Sequence, residues 1–430
     1  MTTHTETGGL LVVVGAGMAG GELALSARHQ GWTGRIMLLG AEPLLPYHRP
    51  PLSKAFLAGT ATAESLQIRP VASYEEARIE LRLGVRVLGL DRAARLLTLD
   101  DGSTLQYDKA ALCLGGQARA LRLPGLPVAG AVNLQVLRTQ ADALAISQTL
   151  NAADANTPGT EFRVALVGAG YIGLEVAASA RARGAAVTVL EAQSRVLARV
   201  AGQAISDFYT EVHRQAGVQV CTGVRDTKVV MGEGELAERI VALRVDGQEL
   251  PVDLVVAGIG LEPDVALAQG AGLDVDEGIV VDHFACTSDP NIYAAGDCTR
   301  LPSALYGRSL RLESVPNALE QARAAAAAIC GKPRVYDPVP WFWSDQYDLK
   351  LQTVGLSPGH DQVVLRGDPA SRAFSALYLA GGRLIAADCI NRPADFMVAK
   401  RLVGARAEVS AALLADEALP LKSLLAATPQ

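Results

Sequence analysis

Gly15-Ala16-Gly17-Met18-Ala19-Gly20 and Gly168-Ala169-Gly170-Tyr171-Ile172-Gly173 decide the fold of this 430-residue chain. Each follows a short apolar run, Leu10–Val14 or Val164–Val167, and each opens an alanine-rich amphipathic stretch. Strand, tight turn and helix form the context in which G-x-G-x-x-G marks a dinucleotide site. Glycine is required because the turn is tight, because pyrophosphate must approach the backbone, and because the helix packs close to the strand. The helix N-terminus adds N–H groups and partial positive charge for the phosphates. One such turn carries little weight. Two of them, 153 residues apart, imply two dinucleotides in one protein and electron transfer between them.

Working outward, Arg35–Leu39 is expected as a second strand, followed by a proline-rich loop from Gly40 to Lys54. Further strands are expected at Ala111–Leu114, at Leu254–Ala257 before Gly258-Ile259-Gly260, and at Ile292–Ala295 before Gly296-Asp297. Helices are expected over Thr139–Leu150 and Ala318–Ile329, with a loop over Asn151–Thr160. After Gly331-Lys332-Pro333 aromatic residues concentrate, and short runs such as Gln362–Leu365 and Ala376–Leu379 suggest a smaller α+β domain.

Half of the residues are hydrophobic, which allows large buried cores. Net charge is −6, from 39 basic and 45 acidic residues, and gives no support for a nucleic-acid partner. Residues Met1 to Gly8 are polar and lack a signal-peptide pattern, so a cytoplasmic protein without a membrane partner is expected. The six cysteines form no C-x-x-C pair, no zinc or iron–sulfur spacing is visible, and no metal site is expected. They read as buried, inert thiols.

Glu191 ends the strand Val187–Leu190, 23 residues after Gly168. An acid there accepts hydrogen bonds from the ribose hydroxyls and repels a 2′-phosphate, which favours NADH over NADPH. The first unit differs. Its second strand ends Leu38-Leu39-Gly40-Ala41-Glu42, with Ala41 where the acid is expected and Glu42 one step late. Either Glu42 reaches the ribose with a shifted backbone, or main-chain groups serve instead.

Further segments make a resemblance specific. They are Pro46-Tyr47-His48-Arg49-Pro50-Pro51-Leu52-Ser53-Lys54, Tyr293-Ala294-Ala295-Gly296-Asp297-Cys298, Glu313-Ser314-Val315-Pro316-Asn317 and Trp341-Phe342-Trp343-Ser344-Asp345-Gln346. Together with Asn391-Arg392-Pro393 and Pro420-Leu421-Lys422, they resemble the FAD-dependent ferredoxin reductases of class I cytochrome P-450 systems over nearly the whole chain. The resemblance implies an α/β fold. Two Rossmann-like, glutathione-reductase-like domains are expected, FAD-binding (8–120 and 250–330) and NADH-binding (121–249), followed by a C-terminal α+β domain (331–430).

It also implies roles. Gly15, Gly17, Met18, Ala19 and Gly20 would hold FAD phosphates, and Gly168, Gly170, Tyr171, Ile172 and Gly173 those of NADH, with Gly260 at the edge of that site. Gly296 and Asp297 would meet the FAD ribityl chain. Arg49 and Arg119 would contact its pyrophosphate or adenosine through charge-assisted bonds. Ser314 and Val315 would turn a helix N-terminus toward the flavin pyrimidine, favouring negative charge there. Lys54 and Glu175 would meet near the flavin ring, the glutamate compensating a costly buried lysine. Trp343 would lie near the flavin and the exit face, whereas Trp341 is expected to be structural. Cys113-Leu114-Gly115 departs from the family's Ala-Thr-Gly and removes one hydroxyl contact.

The activity implied is NADH:ferredoxin oxidoreduction, in which FAD takes hydride from NADH and passes single electrons to a 2Fe–2S ferredoxin that supplies a cytochrome P-450 monooxygenase. Lys350, Lys400, Arg401 and Arg323 are candidates for the basic rim meeting an acidic ferredoxin. A weak homodimer is compatible with the sequence. A rubredoxin reductase and the reductase of an aromatic-ring dioxygenase stay open, because the flavin site does not encode the acceptor. A disulfide reductase or NADH oxidase lacks its cysteine here. A binding flavoprotein like apoptosis-inducing factor, which has a segment similar to Arg49–Lys54, is disfavoured by the short polar N-terminus and the acidic charge.

Overall fold

The strand Leu10–Val14 is apolar throughout because parallel neighbours and helices cover it on all sides. In the computed structural model, which describes residues 8–156 and 161–427, it pairs in parallel with Arg35–Gly40 and Lys109–Leu112. Ile79–Leu83 and Ile292–Ala294 complete a five-stranded sheet. The helices Met18–Gln30 and Val315–Ile329 pack on one another. The small side chains of Ala24, Ala27, Ala322, Ala325 and Ala326, all buried, permit that close approach. This unit comprises residues through His48, Leu66–Gln117 and Glu262–Pro340.

The second unit comprises Arg49–Ser65, Ala118–Leu261 and the chain from Trp341 onward. Its parallel sheet runs Gln219–Thr222, Ala186–Glu191, Arg163–Val167, Leu254–Ala257, Leu134–Val136. Four strands, Gln219–Thr222, Ala186–Glu191, Arg163–Val167 and Leu254–Ala257, keep the order of Ile79–Leu83, Arg35–Gly40, Leu10–Val14 and Lys109–Leu112 in the first unit, so the internal repeat extends to them. The fifth differs, since Leu134–Val136 precedes the others in the chain and Ile292–Ala294 follows them. Leu254–Ala257 belongs to this second sheet, whereas a boundary at 250 assigns it to the FAD-binding half. It is a fully buried apolar strand, and its order in the sheet, not its composition, decides its partner.

From Trp341 an antiparallel sheet runs in the order Trp341–Gln346, Leu349–Gly355, Arg383–Ile390, Phe374–Ala380, Gln362–Arg366. The helix Pro393–Gly404 covers it. Leu351, Phe374, Ala386 and Ile390 share one apolar core with Leu166, Val189, Ile205 and Tyr209, so this sheet packs within the nucleotide unit that precedes it.

Several boundaries differ from the sequence reading. The helix expected over Thr139–Leu150 runs Gln140–Asn156, so Asn151–Asn156 is helical rather than loop, and 157–160 lie outside the described residues, as does most of the polar N-terminal stretch. Alanines interleaved with the asparagines in this segment sustain the helix. The strand expected at Ala111–Leu114 is Lys109–Leu112, and the helix expected from Ala318 starts at Val315. Two antiparallel three-stranded sheets, Val87–Gln106 and Thr227–Pro251, were not anticipated. Among the described residues no helix is long and apolar enough to cross a membrane.

Candidate functional site

In the first unit Gly15–Gly20, Gly296 and Asp297 follow the carboxyl ends of the parallel strands Leu10–Val14 and Ile292–Ala294, where open α/β sheets bind ligands, whereas Arg49, Lys54 and Arg119 belong to the second unit. Gly15 turns at φ +104° immediately after Val14, a conformation that favours glycine, and its N–H bonds Leu39 O at 2.8 Å. A Cβ on Gly20 would overlap the Gly15 carbonyl, whereas a Cβ on Gly17 would meet nothing within 4 Å. The helix from Met18 has no side-chain cap and no acid in its first turn. That combination, open space before uncapped N–H groups, fits a pyrophosphate. Gly296 (φ +91°) packs against Ala19, a Cβ there lying 3.2 Å from the Ala19 Cβ, and its N–H is held by Gln321 at 2.8 Å. Asp297 follows, half-buried, past the end of the neighbouring strand.

Ser314 caps the Val315–Ile329 helix by accepting from Asn317 N at 3.2 Å, and Ala318 N bonds Ser314 O. Pro316 has no N–H. The Val315 N–H is therefore the first-turn donor that this helix offers a ligand.

The second unit repeats the turn. Gly168 has φ +103°, a Cβ on Gly173 would overlap the Gly168 carbonyl, and a Cβ on Gly170 would meet nothing within 4 Å. The helix from Tyr171 is likewise uncapped. Tyr171 itself turns its ring inward against Phe342, centroids 4.5 Å apart, and burial pushes its phenol well above the ordinary range. Only its backbone is offered to a phosphate. Ile172 is exposed.

Glu191 returns to this turn. Its Oε2 accepts from Ala169 N at 2.7 Å and its Oε1 from Gln193 N at 2.8 Å. The strand registers identify its counterpart in the first unit. Val167 pairs with Leu190 and Val14 with Leu39, so Glu191 corresponds to Gly40, not to Ala41. A side chain at Gly40 would meet the Ala16 Cβ at 2.6 Å, which excludes an acid there. Glu42 comes two residues after that position, not one, and its carboxylate accepts from the Tyr47 hydroxyl at 2.7 Å. Ala41 is exposed.

Lys54 and Glu175 meet as expected, Nζ to Oε2 at 2.8 Å. Glu175 is buried, with 3% of its side chain exposed, and Lys54 retains 20%. The carboxylate also accepts from Ser53 Oγ at 2.5 Å and Ser344 Oγ at 2.6 Å. Lys54 Nζ donates further to Pro50 O at 3.3 Å. Among the described residues, Glu175's side-chain partners come from the Pro50–Ser53 turn, the residue after it, and the strand Trp341–Gln346. Side chains alternate along that strand, so Ser344 faces Glu175 while Trp343 points to the opposite face. There Trp343 packs on Trp341, 6.0 Å between rings, and Lys400 Nζ lies 4.7 Å over Trp341. Trp343 thus shares a face with Lys400, one of the expected rim residues, and not with the Lys54–Glu175 pair.

Arg49 donates from Nη1 to Arg138 O at 2.6 Å, and the exposed Arg119 bonds Gly260 O through its backbone N–H. Gly260 turns at φ +108° beside the Arg199 guanidinium, 3.3 Å from where its Cβ would be. Arg199 was missed in the sequence. Nothing marks it but its distance of eight residues from Glu191. Arg195 braces its loop through Ala198 O, Ala201 O and Ser206 Oγ, and Leu197 N bonds Ala169 O. Ser53 and Ser344 were missed as well, although strand alternation put Ser344 opposite the tryptophans. Of the expected rim residues, Arg323 pairs with Glu22 at 2.6 Å, while Lys350 and Arg401 are exposed.

All six cysteines are free. Burial pushes the Cys298 thiol up to about 12 and Cys113 well above its ordinary value, so neither is a poised nucleophile. Among the described residues no cluster of His, Cys, Asp or Glu could hold a metal.

The chain belongs to the pyridine nucleotide-disulphide oxidoreductase family, whose model matches residues 10–322, and it carries a reductase C-terminal domain over 341–425. It is an oxidoreductase using FAD and NAD(H), and the resemblance to ferredoxin reductases is borne out. It is 46% identical to putidaredoxin reductase CamA of Pseudomonas putida, over 97% of both chains. The covalent putidaredoxin reductase–putidaredoxin complex matches with a TM-score of 0.92 and 44% identity, over 98% of this chain and 99% of that one. The ferredoxin reductase for the CYP199A2 system of Rhodopseudomonas palustris matches with a TM-score of 0.90 and 40% identity, over 96% and 99%.

Proposed function

We propose that this protein is an NADH-dependent ferredoxin reductase whose electron acceptor is a 2Fe–2S ferredoxin serving an oxygenase of the cytochrome P-450 type. The observation that carries the reading is the pair of topologically equivalent glycine turns that differ in their acids. Glu191 is bonded to the second turn, and its counterpart at Gly40 is absent from the first. A turn with a ribose-binding acid suits NADH. The other turn, with Asp297 and the Val315 N–H at the same sheet edge, suits FAD.

FAD, when bound, supplies the conversion between nicotinamide, which donates electron pairs, and iron–sulfur clusters, which accept single electrons. The protein's residues do the rest. The Gly17 and Gly170 turns hold pyrophosphates, Glu191 selects against a 2′-phosphate, and Arg49 and Arg119 add positive charge toward FAD. Lys54, held by Glu175, favours negative charge on the reduced flavin. Trp343, Lys350, Lys400 and Arg401 form the face that meets an acidic ferredoxin, where charge sets the association rate more than the affinity. An aromatic-ring dioxygenase system or a rubredoxin would use the same flavin site.

The test is steady-state reduction of cytochrome c by the FAD-loaded protein and NADH, with and without an added 2Fe–2S ferredoxin. Strong dependence on ferredoxin is expected. Full activity without it would remove the carrier step.

A further inference from the structure

The hydrogen bonds around Glu175 do not end at Ser344. Ser344 Oγ accepts from Gln346 Nε2 at 3.2 Å. Gln346 Oε1 lies 2.9 Å from His213 Nε2, and His213 Nδ1 lies 3.1 Å from the Tyr347 hydroxyl. His213, Ser344 and Gln346 are buried, and Tyr347 reaches the surface.

The chain has one consistent direction. Gln346 commits its amide nitrogen to Ser344, so its oxygen faces His213 and can only accept. The imidazole then carries its proton on Nε2. Burial favours the neutral ring and lowers its pKa, which makes Nδ1 an acceptor and Tyr347 the donor. Ser344 has one hydroxyl proton and gives it to Glu175. Every donor from Tyr347 onward therefore points toward the carboxylate, and bonds so aligned polarise one another.

Two features set this apart from ordinary core filling. Buried polar side chains are costly unless bonded, and this series brings three of them into a largely apolar core. Tyr347 also stands at φ +56° in the two-residue turn between Trp341–Gln346 and Leu349–Gly355, a conformation unfavourable for a bulky residue. Its hydroxyl bond and its edge-on contact with the His213 ring, 5.1 Å between centroids, are what a glycine or asparagine there would forfeit.

We propose that His213 is a positioning residue for the Lys54–Glu175 pair, acting through Gln346 and Ser344 to fix the carboxylate that holds the lysine. The inference rests on the reading that this pair acts on the flavin.

The experiment uses the FAD-loaded protein and its variants His213→Phe, Ser344→Ala, the double variant and His213→Gln. Two quantities are read: the midpoint potential of the bound flavin and the single-turnover rate of its reduction by NADH. His213→Phe and Ser344→Ala should move the potential in the same direction and slow reduction by about three- to tenfold. The double variant should change no more than the larger single one, because both cut the same chain. His213→Gln, which can still donate to Gln346, should restore the wild-type values. Additive effects in the double variant, or no change in His213→Phe, would overturn the proposal. If His213→Phe fails to fold, Gln346→Leu cuts the same chain at its middle and is read in the same way. Lys54→Met and Glu175→Gln run alongside. If they alter the potential while His213→Phe does not, only the role of His213 falls. If they also leave it unchanged, the reading of the pair falls with it.

Discussion

Replacing Lys54 with methionine leaves Glu175 as an uncompensated charge in the interior. Breaking a buried ion pair from one side costs about 3–5 kcal/mol. Here the lower end applies, since Ser53 and Ser344 still donate to the carboxylate and Lys54 keeps a fifth of its side chain in solvent. We expect about 3 kcal/mol. With a urea dependence of about 3 kcal/mol per molar, the midpoint falls by about 1 M. Trp341 and Trp343 lie in the same unit as the pair and report its unfolding by fluorescence, and a Trp32→Phe background removes the signal of the other unit. The decisive comparison is Lys54→Met/Glu175→Leu. Replacing both charges with apolar side chains should recover most of the loss, because the penalty arises from the stranded carboxylate. A double variant as unstable as the sum of the two single variants would refute this account of the pair. Flavin reduction should stay slow in both, since the lysine charge is absent in each.

Four further outcomes follow from the geometry. Glu191→Ala removes the acceptor of the Ala169 and Gln193 N–H groups and should lower kcat/KM for NADH by about tenfold to a hundredfold, with NADPH affected less, as steady-state kinetics with both nucleotides will show. Gly170→Ala adds a methyl group in open space and should fold normally while weakening NADH binding, whereas Gly173→Ala drives it into the Gly168 carbonyl and should cost about 1–3 kcal/mol in chemical unfolding. Gly17→Ala and Gly20→Ala should divide in the same way for FAD, read by flavin retention and by unfolding. His213, held neutral by burial, titrates lower in the folded than in the unfolded state, so its stability contribution is complete above about 6.5 and lost as pH falls below it. With Gln346 and Tyr347 as its partners, His213→Gln should flatten the acid side of the stability–pH profile.

The parallel sheets were legible because each glycine turn is bracketed by an apolar run and an alanine-rich helix, so three local signals agree. The Lys54–Glu175 pair was legible only through resemblance, as 121 positions separate its members and no local pattern links them. Strand order was not legible for Leu254–Ala257, since a buried apolar run carries no mark of the sheet that it joins. The absent acid after Arg35–Gly40 was visible in the sequence but misplaced by one residue, because register, not spacing from the glycines, makes Gly40 the counterpart of Glu191. Ser344, Gln346 and His213 escaped notice because each is unremarkable alone, and only strand alternation and a helix from elsewhere in the chain bring them into line.

The proposed activity is a transfer of electrons from NADH through FAD to a ferredoxin. Anaerobic stopped-flow mixing of the FAD-loaded protein with one equivalent of NADH, then with an oxidised 2Fe–2S ferredoxin, tests it most directly. The flavin should bleach rapidly with NADH and slowly with NADPH, and its colour should return as the ferredoxin is reduced. A flavin that NADH leaves oxidised, or one that bleaches but does not reoxidise on meeting the ferredoxin, would contradict it.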